Sequence, residues 1–341
     1  MNAEPILRFM GPEAADRFDV TALATGQKHR VAIELAEDGM GRAVLVPLLV
    51  ARGKKPGPVF GLTAALHGNE LNGIPVVHQL IRDLSIDRLA GTVVAVVVAN
   101  VPGYLRRQRG YIDGQDLNHL FPGSPTGTTS QQYCWSLLQR VVRQFDSLVD
   151  LHTASFGREN SLYVRADMLN PKTASMAYRL APQIILHNPP SDQTLRGAAQ
   201  VLGKPSVTLE IGNPQRYHDG YIKAARVGIR ALMADFGMVP PRKHADPVTP
   251  VLCSSSRWMY TERGGLLDVR PEVCDHVLAG DLVAEQVDSF GDPVGEYRAP
   301  FDGVVIGRSV DPVGYTGARI LHLGSVAPED HNFVPRTVPL P

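Results

Sequence analysis

Between Ala43 and Phe236, short apolar, β-branched runs alternate with longer segments of helical spacing, and this constrains the fold more than any other feature of the chain. Ala43–Ala51, Val59–Leu66, Thr92–Asn100, Ser147–Leu151 and Ser206–Ile211 read as strands. Several are apolar at nearly every position, a pattern that suits strands covered on both faces. Gly73–Leu84, Thr129–Phe145, Lys172–Leu180 and Gly220–Phe236 have the spacing of helices. The alternation predicts an α/β sheet flanked by helices on both sides. Ligands of such sheets bind beyond the carboxyl ends of the strands.

The texture changes at Val239–Pro250, where Pro240, Pro241, Pro247 and Pro250 crowd together. Beyond this expected linker, turn signals such as Gly264-Gly265, Gly280-Asp281 and Gly291-Asp292 separate short β-branched runs. The reading is a first domain over 1–240, a small all-β domain over 250–326 and an irregular tail over 327–341. At 341 residues the chain has room for one large domain and a smaller one.

Lys+Arg and Asp+Glu both number 34, so no charge excess argues for nucleic acid or an anionic membrane surface. Cys134, Cys253 and Cys274 are odd in number and form no C-x-x-C pair, which suits reduced thiols in a cytoplasmic protein. Met1–Asp19 lacks the apolar core of a signal peptide, and Thr92–Ala99 is too short to span a bilayer.

Val59–Leu66 is followed at once by His67-Gly68-Asn69-Glu70. At a strand end, H-x-x-E can aim an imidazole and a carboxylate at one point. Both suit Zn2+, whose catalytic sites use three protein ligands and keep one position for water. A second strand end, Asp150-Leu151-His152, supplies the third ligand. A lone histidine after a strand is usually structural, and H-x-x-E is frequent by chance. It is the addition of His152 that favours the metal. Glu210 ends the apolar run Val207-Thr208-Leu209. A carboxylate there is costly to bury without a partner. It is either the proton acceptor for a water at the metal or half of an ion pair at the sheet edge, and both readings stay open.

In this order and spacing the segments resemble the succinylglutamate desuccinylase/aspartoacylase family of the zinc-carboxypeptidase-like superfamily. His67-Gly68-Asn69-Glu70 matches its H-G-[ND]-E signature and Asp150-Leu151-His152 its D-L-H signature. Asn100-Val101-Pro102-Gly103, Arg109 and Asp116-Leu117-Asn118-His119-Leu120-Phe121-Pro122-Gly123 resemble the segment between them, and the likeness covers residues 43–325. It implies a zinc-carboxypeptidase-like mixed sheet flanked by helices. It also implies one Zn2+ per chain on His67, Glu70 and His152, with Glu210 as base. The activity implied is hydrolysis of the amide of a small N-acyl amino acid or N-acyl amine. Arg109, better spaced than Arg106 or Arg107, would polarise the acyl carbonyl. Asn118 and His119 would contact substrate, and Asp150 would hold the second ring nitrogen of His152 or cap its strand.

One position departs from the family. Where it has N-R, this chain has Asn118-His119. Arginine grips a carboxylate with two parallel hydrogen bonds that imidazole cannot reproduce. The expectation is a less anionic substrate, or an arginine from elsewhere, Arg158 or Arg196, in its place. Ala299-Pro300-Phe301-Asp302-Gly303-Val304-Val305 resembles a strand of biotinyl/lipoyl-type barrels, but no lysine follows Lys243 to carry a cofactor. The small domain therefore reads as a cover over the site or a homo-oligomerisation element. Two other functions compete: a carboxypeptidase-like peptidase, and a non-catalytic small-molecule binding protein. His119 argues against the first, and the presence of His67, Glu70, His152 and Glu210 together argues against the second.

Overall fold

The computed structural model describes residues 18–190, 193–242, 249–328 and 331–334; Pro247 of the expected linker and most of the tail lie outside them. The first part of the chain contributes β1 (Gln27–Glu37), β2 (Ala43–Arg52), β3 (Lys55–Ala64), β4 (Ala90–Val96) and β5 (Ser147–His152). It continues with β6 (Arg158–Asn160), β7 (Leu162–Ala166), β8 (Ile184–His187) and β9 (Ser206–Ile211). Its helices are α1 (Gly73–Asp83), α2 (Val101–Arg106), α3 (Thr129–Arg140), α4 (Pro171–Arg179), α5 (Leu195–Val201) and α6 (Asp219–Asp235). The helix expected over Thr129–Phe145 stops at Arg140, and a single 3-10 turn, Val142–Gln144, leads into β5.

β3, β4, β5 and β9 run parallel at the centre, β7 is antiparallel to β9, and β1 and β2 form an antiparallel edge. The sheet is therefore mixed. Period-two alternation along each strand feeds two cores. Val93 and Ala95 of β4 face one core with Val76 and Leu80 of α1 and Ile222 and Ile229 of α6. Val94 and Val96 face the other with Tyr133 and Leu137 of α3 and Leu195 of α5. Each such buried aliphatic side chain contributes about 1.5–3 kcal/mol, which is why strands apolar on both faces draw helices to both sides.

The remaining strands are β10 (Val251–Tyr260), β11 (Gly265–Val269), β12 (His276–Val277), β13 (Leu282–Val287), β14 (Pro293–Arg298), β15 (Gly303–Ser309), β16 (Val313–Gly314) and β17 (Arg319–Val326). This segment is all-β, as expected, but it falls into two sets. β14, β13, β11 and β16 form a separate four-stranded antiparallel sheet. β10 pairs in parallel with β8 through Val251 and Ile184, and carries the large sheet on into β17, β15 and β12. The proline-rich stretch therefore does not interrupt the sheet. β10 satisfies the N–H and C=O groups along an edge of β8 that would otherwise lie unpaired. β6 returns the exchange by pairing with β15. No helix among the described residues is long and apolar enough to cross a membrane.

Candidate metal centre and active site

Three adjacent strands end at one place. β3 stops at Ala64, and Ala65 adopts φ +53°, a left-handed conformation that turns the chain into His67-Gly68-Asn69-Glu70. A Cβ on Gly68 would lie 2.0 Å from the Gly103 carbonyl carbon at the start of α2, so only glycine lets the two backbones meet. Asn100 fixes that helix start by accepting a hydrogen bond from the Gly103 amide at 2.9 Å. β5 lies between β3 and β9, and the pairing of β5 with β9 sets His152 directly opposite Glu210.

His67, Glu70 and His152 are buried, and one ligand atom from each lies within 4.8 Å of the others. The His67 and His152 Nδ1 atoms are 3.1 Å apart, and each is 2.9 Å from a Glu70 carboxylate oxygen. The far nitrogens are already committed. His67 Nε2 donates to Asp116 Oδ1 and His152 Nε2 to Asp150 Oδ2, both at 2.9 Å. With the far nitrogens held there, both Nδ1 atoms and the Glu70 carboxylate point at one spot. Two imidazole nitrogens and a carboxylate converging on one point suit a cation, and the nitrogen–oxygen set suits Zn2+. Burial opposes charge on Glu70, yet His67, His152 and Arg109 hold its carboxyl well below the usual range. Burial likewise opposes charge on His152, and Asp150 and Glu70 still push its imidazole well above the usual value, so a cation bound there would displace a proton from the ring.

Glu210 is buried across the cluster from Glu70. It accepts hydrogen bonds from Asn160 Nδ2 and the Tyr163 hydroxyl, both at 3.3 Å, and Arg165 Nε stands 3.7 Å away. Burial pushes its carboxyl upward, only partly countered by His152 and Arg165. Arg109 donates to Glu70 Oε1 at 2.7 Å, to Ser155 Oγ at 2.6 Å and to Asp116 at 2.9 Å. All of these groups but Asp116 line a cavity of about 310 Å³.

Every residue singled out in the sequence for metal, base or carbonyl contact faces this one cavity, while Asp150 stands behind His152. Asn118 and His119 line it too, and Asn118 Oδ1 accepts from the Leu195 amide at 2.9 Å, a bond that ties it to α5. Arg158 and Arg196 also reach it; Arg196 is buried and donates to the carbonyls of Asn188 and Pro189. Asp116 was legible only as part of a motif, with no hint that it braces both His67 and Arg109. Ser155, Asn160, Tyr163, Arg165, Trp258 and Arg319 escaped notice altogether. The alternation of β7 could have flagged Tyr163, but its register with β9 could not be read from sequence.

The fold and this cluster define a mixed α/β protein with a His-Glu-His group that could hold a metal ion, and sequence comparison makes the class specific. A model of the succinylglutamate desuccinylase/aspartoacylase catalytic domain matches residues 56–236, more than half of the chain, and the protein belongs to that family. Nα-acetyl-L-2,4-diaminobutyric acid deacetylase of Halomonas elongata is 25% identical over 301 residues, which is 84% of this chain and 87% of the relative. Succinylglutamate desuccinylase of Yersinia pestis is 26% identical over 205 residues, covering 53% of this chain and 60% of the relative. Among solved structures, the product-bound ectoine utilization protein EutE (DoeB) of Ruegeria pomeroyi superposes with a TM-score of 0.81 at 21% identity, over 89% of this chain and 98% of the other. A succinylglutamate desuccinylase from Silicibacter sp. TM1040 gives 0.80 at 23% identity, over 90% and 98%. These two likenesses concern the fold.

Proposed function

We propose that the protein is a zinc-dependent deacylase that hydrolyses the amide bond of a small N-acyl amino acid or N-acyl amine. The observation that carries the reading is the convergence of His67 Nδ1, His152 Nδ1 and Glu70, each imidazole braced from behind by a carboxylate. One Zn2+ bound there would supply the Lewis acidity that makes water nucleophilic near neutral pH. Glu210 takes a proton from the attacking water at its carboxylate and returns it to the leaving nitrogen, a task that favours a carboxyl raised above its ordinary range. The Arg109 guanidinium stabilises charge that develops on the acyl oxygen. The deacetylase and desuccinylase activities named for the relatives support amide cleavage.

Trp258 and Arg319, both from the C-terminal β segment, line the cavity, which supports that segment as a cover rather than a cofactor carrier. A cavity of about 310 Å³ covered in this way favours small substrates over the open groove a peptidase needs. The three cysteines are all free, in keeping with a cytoplasmic setting.

The test is elemental analysis of gently purified protein. Near-stoichiometric zinc is expected in the wild type and in Glu210→Gln, but not in His67→Ala. A wild-type protein that takes up no metal from excess zinc would overturn the proposal and leave a binding protein on this scaffold.

A further inference from the structure

Arg158, Trp258 and Arg319 line the same cavity as the metal cluster. They come from three strands that meet only in the folded chain: Arg158 opens β6, Trp258 lies in β10 and Arg319 opens β17. The guanidinium carbon of Arg319 stands 4.9 Å from the Trp258 ring centroid, and that of Arg158 stands 5.7 Å away. The buried His322 ring stacks on the indole at 4.7 Å and 6°, and its Nε2 lies 2.7 Å from Ser256 Oγ. Trp258 is thus fixed in place, and two cations gather around it.

Neither of these two arginines makes an ion pair among the described residues, and Asp116 acts on Arg319 only through space. The cavity's carboxylates are taken: Glu70 by Arg109 and the two imidazoles, Glu210 by Arg165, Tyr163 and Asn160. Cation–π contact holds a guanidinium in position, worth about 0.5–1 kcal/mol at an exposed site, but neutralises nothing. Arg319 also feels Arg109: burial and that neighbour lower its pKa, with Asp116 opposing. Two like charges held together beside a third call for an anion, and a carboxylate answers with short charge-assisted bonds.

We propose that Arg158 and Arg319, braced on Trp258, form the subsite that takes the substrate's carboxylate. His119 cannot fill that role: its side chain is 70% exposed and its ring lies 3.7 Å from Asp116, itself an acid. The substrate is then an N-acyl amino acid and not an uncharged N-acyl amine, an inference that rests on the deacylase reading above.

The test compares N-acetyl and N-succinyl amino acids, each paired with its α-carboxamide, in wild type, Arg158→Gln, Arg319→Gln and the double variant. Loss of one charge-assisted contact is expected to raise KM for the carboxylate member roughly 10- to 100-fold, with kcat changed by less than about threefold and the carboxamide unaffected. The same substitutions in a Glu210→Gln background, followed by calorimetric binding, read the subsite without turnover. Equal losses for both members of a pair, no loss in the double variant, or no carboxylate-dependent binding across the panel would overturn the subsite. If nothing is hydrolysed but carboxylates still bind in an Arg158- and Arg319-dependent way, the subsite stands and the deacylase reading fails.

Discussion

Asp116 Oδ1 lies 2.9 Å from His67 Nε2, 49 positions back along the chain, while its other oxygen holds Arg109. One carboxylate therefore sets the ring orientation of a histidine in the proposed metal cluster and the direction of the Arg109 guanidinium. Burial works against its charge, yet His67 and Arg109 hold its carboxyl well below the usual range. Replacing Asp116 with Asn keeps the shape and removes the charge. Zinc affinity is expected to fall about 10- to 100-fold, as measured by competition with a chromogenic chelator, and Asp150→Asn to do the same through His152.

Glu210 is expected to leave its mark on the pH profile. Proton abstraction requires the ionised carboxylate, so activity falls as pH drops through its pKa. Burial raises that pKa, which moves the acid limb of kcat/KM above the ordinary carboxylate range. The Tyr163 hydroxyl donates to the ionised form, so Tyr163→Phe should move the limb to still higher pH. Glu210→Gln should abolish the limb and lower kcat about 10²- to 10⁴-fold while zinc is retained. A pH–rate series with metal analysis of each variant checks both.

Gly68 separates packing from chemistry. A Cβ there would sit 2.0 Å from the Gly103 carbonyl carbon and 2.2 Å from the Tyr104 amide nitrogen, both backbone atoms that cannot yield cheaply. Gly68→Ala is expected to destabilise the fold by about 1–3 kcal/mol, the scale of forced overpacking, and to weaken zinc binding as the His67–Glu70 loop shifts. Thermal melts of the metal-free and zinc-loaded protein measure the two effects separately.

Much of this centre was legible because strand ends are legible. Apolar runs such as Val59–Leu66 and Ser206–Ile211 announce strands, and the polar residue that breaks each run is the one aimed at a ligand. Where the runs are short or half exposed the signal fades. β1 (Gln27–Glu37), β6 (Arg158–Asn160), β7 (Leu162–Ala166) and β8 (Ile184–His187) went unread, and with them Tyr163, Asn160 and Arg165 around Glu210. The strand expected over Thr92–Asn100 ended at Val96, because Val97 turns to Pro47, and Ala99 and Asn100 to the carbonyls of Ala64 and Ala65.

The sequence by itself determined the α/β alternation, the placing of His67, Glu70, His152 and Glu210 at the ends of strands, and the β character of the C-terminal segment. Each follows from local pattern, since hydrophobic period and the residue at a strand's end are properties of neighbouring positions. Only the tertiary structure decided that Asp116 braces His67, that β10 joins β8 across the proline-rich stretch, and that Arg158 and Arg319 converge on Trp258. These depend on strand order and register between segments far apart in the chain, which are fixed by the burial of two shared cores and the pairing of open sheet edges rather than by any local run of residues.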